Sequence, residues 1–248
     1  MIPKIIHYCW FGSKQLPPLA KRCIRSWKKY LPGYEIKLWN ESNFDVNIIP
    51  YVKEAYKAKR YAFVSDYVRY WALYNYGGVY FDTDVELIKP VNQVLTWGGG
   101  GGYMGFESSP NSKNLHVNPG LGMAMERRHP FLKEMLDIYD GLHFINSDGT
   151  HNLKSIVYIT SEVLVRKGLK RSDGIQCING IFIYPKEYFN PYDGNHFVIT
   201  EKTISIHYFS GSWITKKERF MKWIESHFGN RGVRVVHGIY MRIKKYKI

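Results

Sequence analysis

Two aspartates stand one residue apart in the segment YFDTDVEL, in a chain whose formal net charge is +14. Asp82 and Asp84 follow an apolar stretch that is predicted to be a short strand, and alternate strand residues point to the same side. In open parallel sheets, ligands bind beyond the carboxyl ends of the strands. Two carboxylates facing one point there would suit a hard divalent cation with oxygen ligands. The alternative is a strand-end turn with two solvated aspartates.

Three further side chains could take part in the same chemistry. Asp66 and Arg69 are spaced i, i+3 in a predicted helix and would share a face. The alternative for this pair is a local ion pair that contributes little to stability. His207 stands at a predicted strand end, where an imidazole could complete a metal site or simply be structural.

Trp10 and a run of glycines are candidates for contacts with a nucleotide. Trp10 ends the first predicted strand and could stack on a nucleobase, although a half-buried core tryptophan is the alternative. The run from Gly98 to Gly102 lacks the spacing of a phosphate-binding loop and is predicted to be a mobile loop.

The elements that must position these residues alternate over the first ninety positions. Strands are predicted in PKIIHYCWFG, YEIKLW and VYF, with helices between them and a helix break near Lys59. Strands separated by helices are typical of an α/β fold with a mostly parallel central sheet. Farther along, Asn179-Gly180 predicts a tight hairpin.

The chain length of 248 residues, with no internal repeat or linker, favours one domain over residues 1–230 and a tail over residues 231–248. The tail has apolar residues at helical spacing among many Lys and Arg. Such a helix could lie on an anionic membrane or pack on the body with its basic face in water.

Bulk composition limits the cellular setting. The three cysteines Cys9, Cys23 and Cys177 show no pairing pattern, which favours a reducing cytosol. No stretch approaches the roughly 18 apolar residues of a spanning helix. We therefore expect a cytoplasmic protein or one peripheral to the cytosolic face of a membrane. The isoelectric point near 9.5 suits nucleic acid, anionic lipid or a phosphorylated substrate.

Four segments occur in one order along the chain: IPKIIHYCWFG, YAFVSDYVRYWALYNYGGVYFDTDVELIKP, NPGLGMAMERRHP and HYFSGSW. In the second, the pattern S-D-x-x-R-x-x-x-L-x-x-x-G-G-x-Y-x-D-x-D runs from Ser65 to Asp84 without a gap. This set resembles the DxD glycosyltransferases that share a sugar-binding region. That group includes capsular polysaccharide transferases, fungal initiating mannosyltransferases and, more distantly, the large glucosylating toxins.

The resemblance implies a GT-A fold, which is Rossmann-like and binds nucleotide-sugars, together with Mn²⁺ or Mg²⁺. Asp84 matches the direct metal ligand, and Asp82 matches the carboxylate near the ribose and the metal. His207 matches the late metal ligand, where the toxins use a carboxylate. Asp66 and Arg69 match the pair that holds the hydroxyls and phosphate of the donor sugar.

The remaining matches concern the nucleotide and the reacting sugar. Trp10 matches the base-stacking tryptophan, and Asn118 matches the polar residue beside the reaction centre. Gly211, Ser212 and Trp213 match the turn that closes over the diphosphate.

The resemblance also implies a reaction. We expect a retaining transfer from a UDP-sugar, with GDP-mannose left open, to a saccharide or lipid-linked saccharide in capsular or surface polysaccharide synthesis. The motifs offer no clear covalent nucleophile, so front-face attack is expected. Nucleic acid is not an expected partner of such an enzyme.

Two other functions share single features with this sequence. Phosphatases that form an aspartyl-phosphate also carry D-x-D after an apolar strand, but Val85 and Glu86 do not continue their pattern. A nucleic-acid-binding protein would explain the positive charge, but it would need a basic face interleaved with aromatic residues.

Overall fold

The computed structural model of the protein describes residues 1–96, 101–108, 115–192 and 196–211. Residues Met1–Phe209 form one compact unit, and a second unit begins at Ser210. The boundary predicted at residue 230 and the tail after it lie outside the described residues and stay predictions. Among the described residues, no helix has the length and apolar character needed to span a membrane.

The chain begins with the predicted strand, helix and strand. Strand β1 (Ile5–Cys9) pairs in parallel with β2 (Glu35–Trp39), and helix α1 (Pro18–Tyr30) connects them. Prolines precede and open α1, where the missing N–H groups would have no intrahelical partner. One face of α1 is apolar, and Trp27 on that face is fully buried.

The predicted helix break at Lys59 is confirmed. Helix α2 (Pro50–Lys57) and helix α3 (Tyr61–Tyr76) meet there, and Lys59 has a φ of 57° that no helix continues. Helix α3 ends at Gly77, and the chain turns at once into β3 (Gly78–Tyr80) beside β1. At Gly78 the φ is 106°, and a Cβ would lie 2.5 Å from the Ile5 carbonyl oxygen, so only glycine fits this close approach.

The later part of the chain completes the main sheet and covers it. Its elements are β4 (Val85–Leu87), α4 (Asn92–Thr96), β5 (Gly102–Ser108), β6 (Leu115–Asn118), β7 (Met123–Met125), α5 (Pro130–Asp140), α6 (Ile156–Arg166), β8 (Gln176–Ile178), β9 (Ile181–Tyr184), α7 (Lys186–Phe189) and β10 (Ser205–His207). Strands β8 and β9 are antiparallel neighbours joined through Asn179-Gly180, as the hairpin signal predicted.

The main sheet has the order β2-β1-β3-β7-β5-β9-β8, with β6 beside β5. Five of these strands (β2, β1, β3, β5 and β9) run in one direction, so the predicted α/β class with a mostly parallel sheet is confirmed. Strand β7 lies antiparallel between β3 and β5, and β6 and β8 are also antiparallel to their neighbours. The alternation of the first ninety residues gave no sign of these reversed strands.

Alternate residues of the strands enter two separate hydrophobic clusters. In β7, Met123 and Met125 join one cluster and Ala124 joins the other. Because side chains of a strand alternate between the faces of a sheet, the clusters lie on opposite faces. Helices α2, α3, α5 and α6 cover the first face, and α1 and α7 cover the second.

Strands β4 and β10 form a separate two-stranded antiparallel sheet. The sequence predicted β10 as a strand but not its partner. This pairing brings the region of His207 beside the chain that follows Asp84, because His207 lies opposite Val85.

Candidate functional site

The two aspartates lie in a tight turn between β3 and β4. The Val85 N–H donates to the Asp82 carbonyl oxygen at 3.1 Å, which closes the turn through Thr83 and Asp84. The expectation that both carboxylates leave one continuous strand is therefore wrong in its local detail. They converge because the chain turns between them, and neither is fully solvated, with side-chain exposures of 28% and 14%.

The turn is held from two sides of the molecule. The Phe81 N–H donates to the His7 carbonyl at 3.2 Å, and the Asp82 N–H donates to the Gly120 carbonyl at 3.1 Å. A Cβ on Gly120 would lie 2.1 Å from Asp82 Oδ2 and 3.0 Å from Asn118 Oδ1. The carboxylate of the turn and the carboxamide of β6 thus approach the same point, which only glycine leaves open.

His207 meets the turn from β10. Its Nε2 lies 3.1 Å from Asp84 Oδ1, and the Tyr208 N–H donates to the Asp84 carbonyl at 3.1 Å. One ligand atom each from Asp82, Asp84 and His207 lie within 4.8 Å of one another. This span is close to the roughly 4.2 Å across a small divalent cation with ligands at about 2.1 Å. The two carboxylate oxygens suit Mn²⁺ or Mg²⁺, whereas the imidazole nitrogen is a softer donor that Mn²⁺ accepts more readily than Mg²⁺.

The electrostatic field at this point is negative. Burial opposes a positive charge on His207, but its hydrogen bond to Asp84 and the charges of Asp84, Asp82 and Glu107 outweigh burial and raise the pKa of His207 above the ordinary value. The Nδ1 atom of His207 is buried and has no hydrogen-bond partner among the described residues. A cation would be favoured here over a neutral ligand.

Asp66 and Arg69 are a buried pair rather than a solvated one. Arg69 Nη2 lies 2.8 Å from Asp66 Oδ1 and 3.4 Å from Asp82 Oδ1, so the guanidinium links α3 to the turn. Arg69 is 4% exposed and also lies 4.7 Å over the Tyr80 ring, whose hydroxyl donates to Asp82 at 3.0 Å. The pair is therefore more than the local ion pair of the alternative, because Arg69 also contacts Asp82.

The guanidinium has capacity for one more ligand. Arg69 Nη1 is buried and has no hydrogen-bond partner in the part of the chain that the structure describes. Burial, with a further contribution from the charge of Asp82, raises the pKa of Asp66 to about 7, although Arg69 opposes the shift. A charged arginine with an unpaired N–H beside a metal-type cluster is suited to an oxygen-rich anion such as phosphate.

Asn118 is held at both ends of its carboxamide. Its Oδ1 accepts from the Gly120 N–H at 2.7 Å, and its Nδ2 donates to Glu107 Oε2 at 2.7 Å. Glu107 comes from β5, and burial raises its pKa, although Asn118 and His207 favour its charged form. Glu107 was not predicted from the sequence, because no spacing connects it with the motifs. The pairing of β5 with β6 brings it to the site.

Trp10 borders an open cavity of about 380 Å³ beyond the carboxyl ends of β1 and β2. The cavity is lined by residues that include Trp10, Lys14, Leu16, Leu38, Asn40 and Glu41. The indole N–H donates to the Lys14 carbonyl at 2.6 Å, which fixes the ring at the rim. Trp10 is only half-buried, so its ring is accessible to a flat ligand.

The last three predicted site residues, Gly211, Ser212 and Trp213, stay predictions. Gly211 has a left-handed φ of 56° and belongs to the unit that begins at Ser210. Ser212 and Trp213 lie outside the described residues, as do Gly98–Gly100 of the glycine run. Gly102 of that run is the first residue of β5.

Comparison with known proteins agrees with this geometry. Residues 17–97 match the family described as the glycosyltransferase sugar-binding region containing a DXD motif. The matched region contains Asp66, Arg69 and the turn, and it confirms the resemblance that the segment Ser65–Asp84 predicted. Residues 17–97 are therefore similar to the sugar-binding region of the DXD glycosyltransferases.

Two curated relatives illustrate how far the likeness extends. Inositol phosphoceramide mannosyltransferase 3 of Schizosaccharomyces pombe is 29% identical over 139 residues, which are 54% of this chain and 36% of that protein. An uncharacterized glycosyltransferase of Acanthamoeba polyphaga mimivirus is 28% identical over 203 residues, covering 77% of this chain and 76% of the relative. The chain spans about a third of the length of the yeast relatives that it matches.

Among solved structures, the PaToxG glycosyltransferase aligns with a TM-score of 0.49 and 17% identity, over 67% of this chain and 70% of that one. A glycosyltransferase involved in glycosylation of the major capsid of PBCV-1 aligns with a TM-score of 0.45 and 10% identity, over 83% and 93%.

Proposed function

We propose that the protein is a metal-dependent GT-A glycosyltransferase that transfers a sugar from a nucleotide-sugar and retains its anomeric configuration. One observation carries the proposal: ligand atoms of Asp82, Asp84 and His207 lie within 4.8 Å of one another, beside the buried Arg69. Cation ligands next to a buried, unpaired guanidinium N–H suit a nucleoside diphosphate, which binds both. An aspartyl-phosphate phosphatase would not need this arrangement of histidine and arginine.

Arg69 supports diphosphate binding through its energetics. Leaving a buried N–H unpaired costs about 1–3 kcal/mol, which a phosphate or sugar oxygen at Nη1 would recover. Asp66 and Asp82 hold the other side of the guanidinium, so its free edge keeps one orientation. The bound cation would supply charge neutralisation for the leaving diphosphate.

The transfer breaks the bond between the anomeric carbon and the diphosphate oxygen and forms a bond to the acceptor oxygen. We place the acceptor on the same face as the leaving group, so that a diphosphate oxygen takes the acceptor proton. Asn118 presents a carboxamide of fixed orientation to the sugar, and Glu107 contributes negative charge to a site where an oxocarbenium-like carbon develops. The half-buried Trp10 would stack on the base.

The names of the relatives and the motifs support a small set of candidate donors and acceptors. UDP-sugars are the first candidates, and GDP-mannose is the second, because the yeast relatives are named mannosyltransferases. The acceptor is a saccharide or a lipid-linked saccharide in surface or capsular polysaccharide synthesis. The protein would act in the cytoplasm, at the cytosolic face of a membrane.

The test is a panel of UDP- and GDP-sugars, assayed for binding and hydrolysis with manganese and with EDTA. Asp84→Ala should abolish the manganese-dependent signal with one donor, whereas Asp137→Ala, on the exposed side of α5, should keep it. Donor binding that ignores both EDTA and Asp84→Ala would contradict the proposal. So would a panel without any donor that binds.

A further inference from the structure

Positive charge is concentrated in two segments of the sequence, one at the start of the chain and one at its end. The first 34 residues contain seven Lys and Arg (Lys4, Lys14, Lys21, Arg22, Arg25, Lys28 and Lys29) and no Asp or Glu. This segment therefore supplies +7 of the formal net charge of +14 in about one seventh of the chain. Such a distribution is a local patch rather than a general property of the surface.

Helix α1 gathers five of these cations on one face. We call Lys21, Arg22, Arg25, Lys28 and Lys29 the basic face. Their spacing of i, i+1, i+4, i+7 and i+8 keeps them on one side of a helix, over a length of about 12 Å. Apart from Pro18, every exposed residue of α1 is one of these cations.

Little of the charge on the basic face is neutralised by the protein. Arg22 lies 3.3 Å from Glu86. No ion pair of Lys21, Arg25 or Lys28 is found in the described ranges. The like charges of the basic face repel one another and destabilise the helix. An anionic partner would remove this repulsion.

The opposite face of α1 is attached to the chain that follows the DxD turn. The Trp27 indole N–H donates to the Val85 carbonyl at 2.8 Å, and the Ser26 hydroxyl accepts from the Leu87 N–H at 2.9 Å. Both bonds are buried and end on β4, which begins directly after Asp84. Arg22 of the basic face also contacts Glu86 of β4, so a partner of the basic face would bind close to this strand.

We propose that the basic face of α1 is a docking surface for an anionic phospholipid membrane. Basic residues near an anionic bilayer surface are attracted individually, and a continuous row of them adds its contributions. Single-stranded nucleic acid would be recognised by exposed aromatic rings between the cations, and the exposed positions of α1 hold none. The docking does not depend on the transferase activity, but it suits an acceptor carried by a lipid.

The experiment measures partitioning of the full chain onto vesicles of phosphatidylcholine, with and without phosphatidylglycerol. We expect binding that requires phosphatidylglycerol and weakens as salt is raised, because salt screens exposed charges. Each cation near such a surface strengthens binding by roughly fivefold. The triple variant Lys21→Gln, Arg25→Gln and Lys28→Gln should therefore bind about a hundredfold more weakly.

A matched variant separates the basic face from net charge. Lys53→Gln, Lys57→Gln and Lys170→Gln remove the same charge from exposed positions outside α1 and should leave vesicle binding within about threefold of wild type. Equal losses in both variants, or no loss in the first, would overturn the proposal. Tighter binding of oligonucleotides than of phosphatidylglycerol vesicles, lost in the same triple variant, would also overturn it.

An assay of donor hydrolysis distinguishes a failure of the docking proposal from a failure of the proposed function. The triple variant should fold normally and hydrolyse soluble donor at the wild-type rate, because its three substituted side chains are exposed. Loss of vesicle binding with full hydrolysis supports docking. A wild-type protein that binds vesicles but no nucleotide-sugar would contradict only the proposed function.

Discussion

His7 and His207 are both buried on strands, at 0% and 7% exposure, yet their surroundings differ in charge. Around His7 every polar contact is neutral: Nε2 donates to the Gly77 carbonyl at 2.8 Å, and Nδ1 accepts from the Trp39 indole at 3.1 Å. Burial, with a smaller contribution from the charge of Lys37, lowers the pKa of His7 to about 4. His7 is thus a neutral connector of β1, β2 and the end of α3.

Around His207 the partners are carboxylates, and the pKa moves in the opposite direction. One ring nitrogen has no partner among the described residues, whereas both nitrogens of His7 are occupied. Because both histidines are buried, burial alone does not identify a functional histidine. What distinguishes His207 is a negative field, with its Nε2 atom 3.1 Å from Asp84 Oδ1.

The largest expected effect is on stability, from His7→Ala. The substitution leaves the buried Trp39 N–H and the Gly77 carbonyl unpaired, at about 1–3 kcal/mol each, and also creates a cavity. We expect a loss of about 4 kcal/mol in the free energy of unfolding, measured by urea denaturation. The fraction that remains folded should keep the wild-type KM for donor. Wild-type stability would show that the His7 contacts contribute nothing net.

The second largest expected effect is a loss of folding stability at acidic pH. The folded-state pKa of His7 lies below its unfolded value of 6.5, so the unfolded chain takes up the proton first as the pH falls. The contribution is fully present above pH 6.5 and is lost toward pH 4, by about 3 kcal/mol. Unfolding curves of wild type and His7→Gln over this range isolate it. Parallel pH profiles of the two proteins would refute the assignment.

His207→Ala should act on the metal rather than on the fold. Loss of a residue that only supports a metal ligand weakens metal affinity by about 10- to 100-fold. Loss of the ligand itself should therefore weaken manganese affinity by at least about a hundredfold. The wild-type affinity should also fall as the pH drops through the raised pKa of His207, because a protonated imidazole cannot bind metal. Manganese titration of donor hydrolysis measures both. Unchanged affinity would reduce His207 to a structural partner of Asp84.

The sequence predicted the Asp66, Arg69 and Asp82 part of the site because these residues are local. A helix spacing places the pair on one face, and the short connection through Gly77 and Gly78 returns the chain to the sheet beside it. The direction of β3 likewise followed from the alternation of strands and helices. The turn at Thr83 did not, because it depends on a contact far along the chain, in which the Asp82 N–H donates to the Gly120 carbonyl.

The reversed strands and Glu107 needed the structure. Short antiparallel strands such as β7 carry no periodicity that distinguishes their direction, and their register depends on contacts far along the chain. Glu107 reaches the site because Gly105, two residues before it in β5, pairs with Asn118 of β6. This pairing places the side chains of Glu107 and Asn118 within hydrogen-bond distance. No local pattern around Glu107 predicts that pairing.

Glu107→Gln tests this part of the site and should have the smallest effect. A glutamine can still accept from Asn118 Nδ2, but it removes the negative charge and allows the carboxamide pair to rotate. We expect kcat to fall about tenfold, or about 1.4 kcal/mol, with little change in the KM for donor, because the charge matters most in the transition state. Glu162→Gln, which removes an equivalent charge beside Arg171, should leave kcat unchanged. A rise in KM alone would instead make Glu107 part of donor binding, and a lower thermal midpoint with wild-type kcat would make it structural.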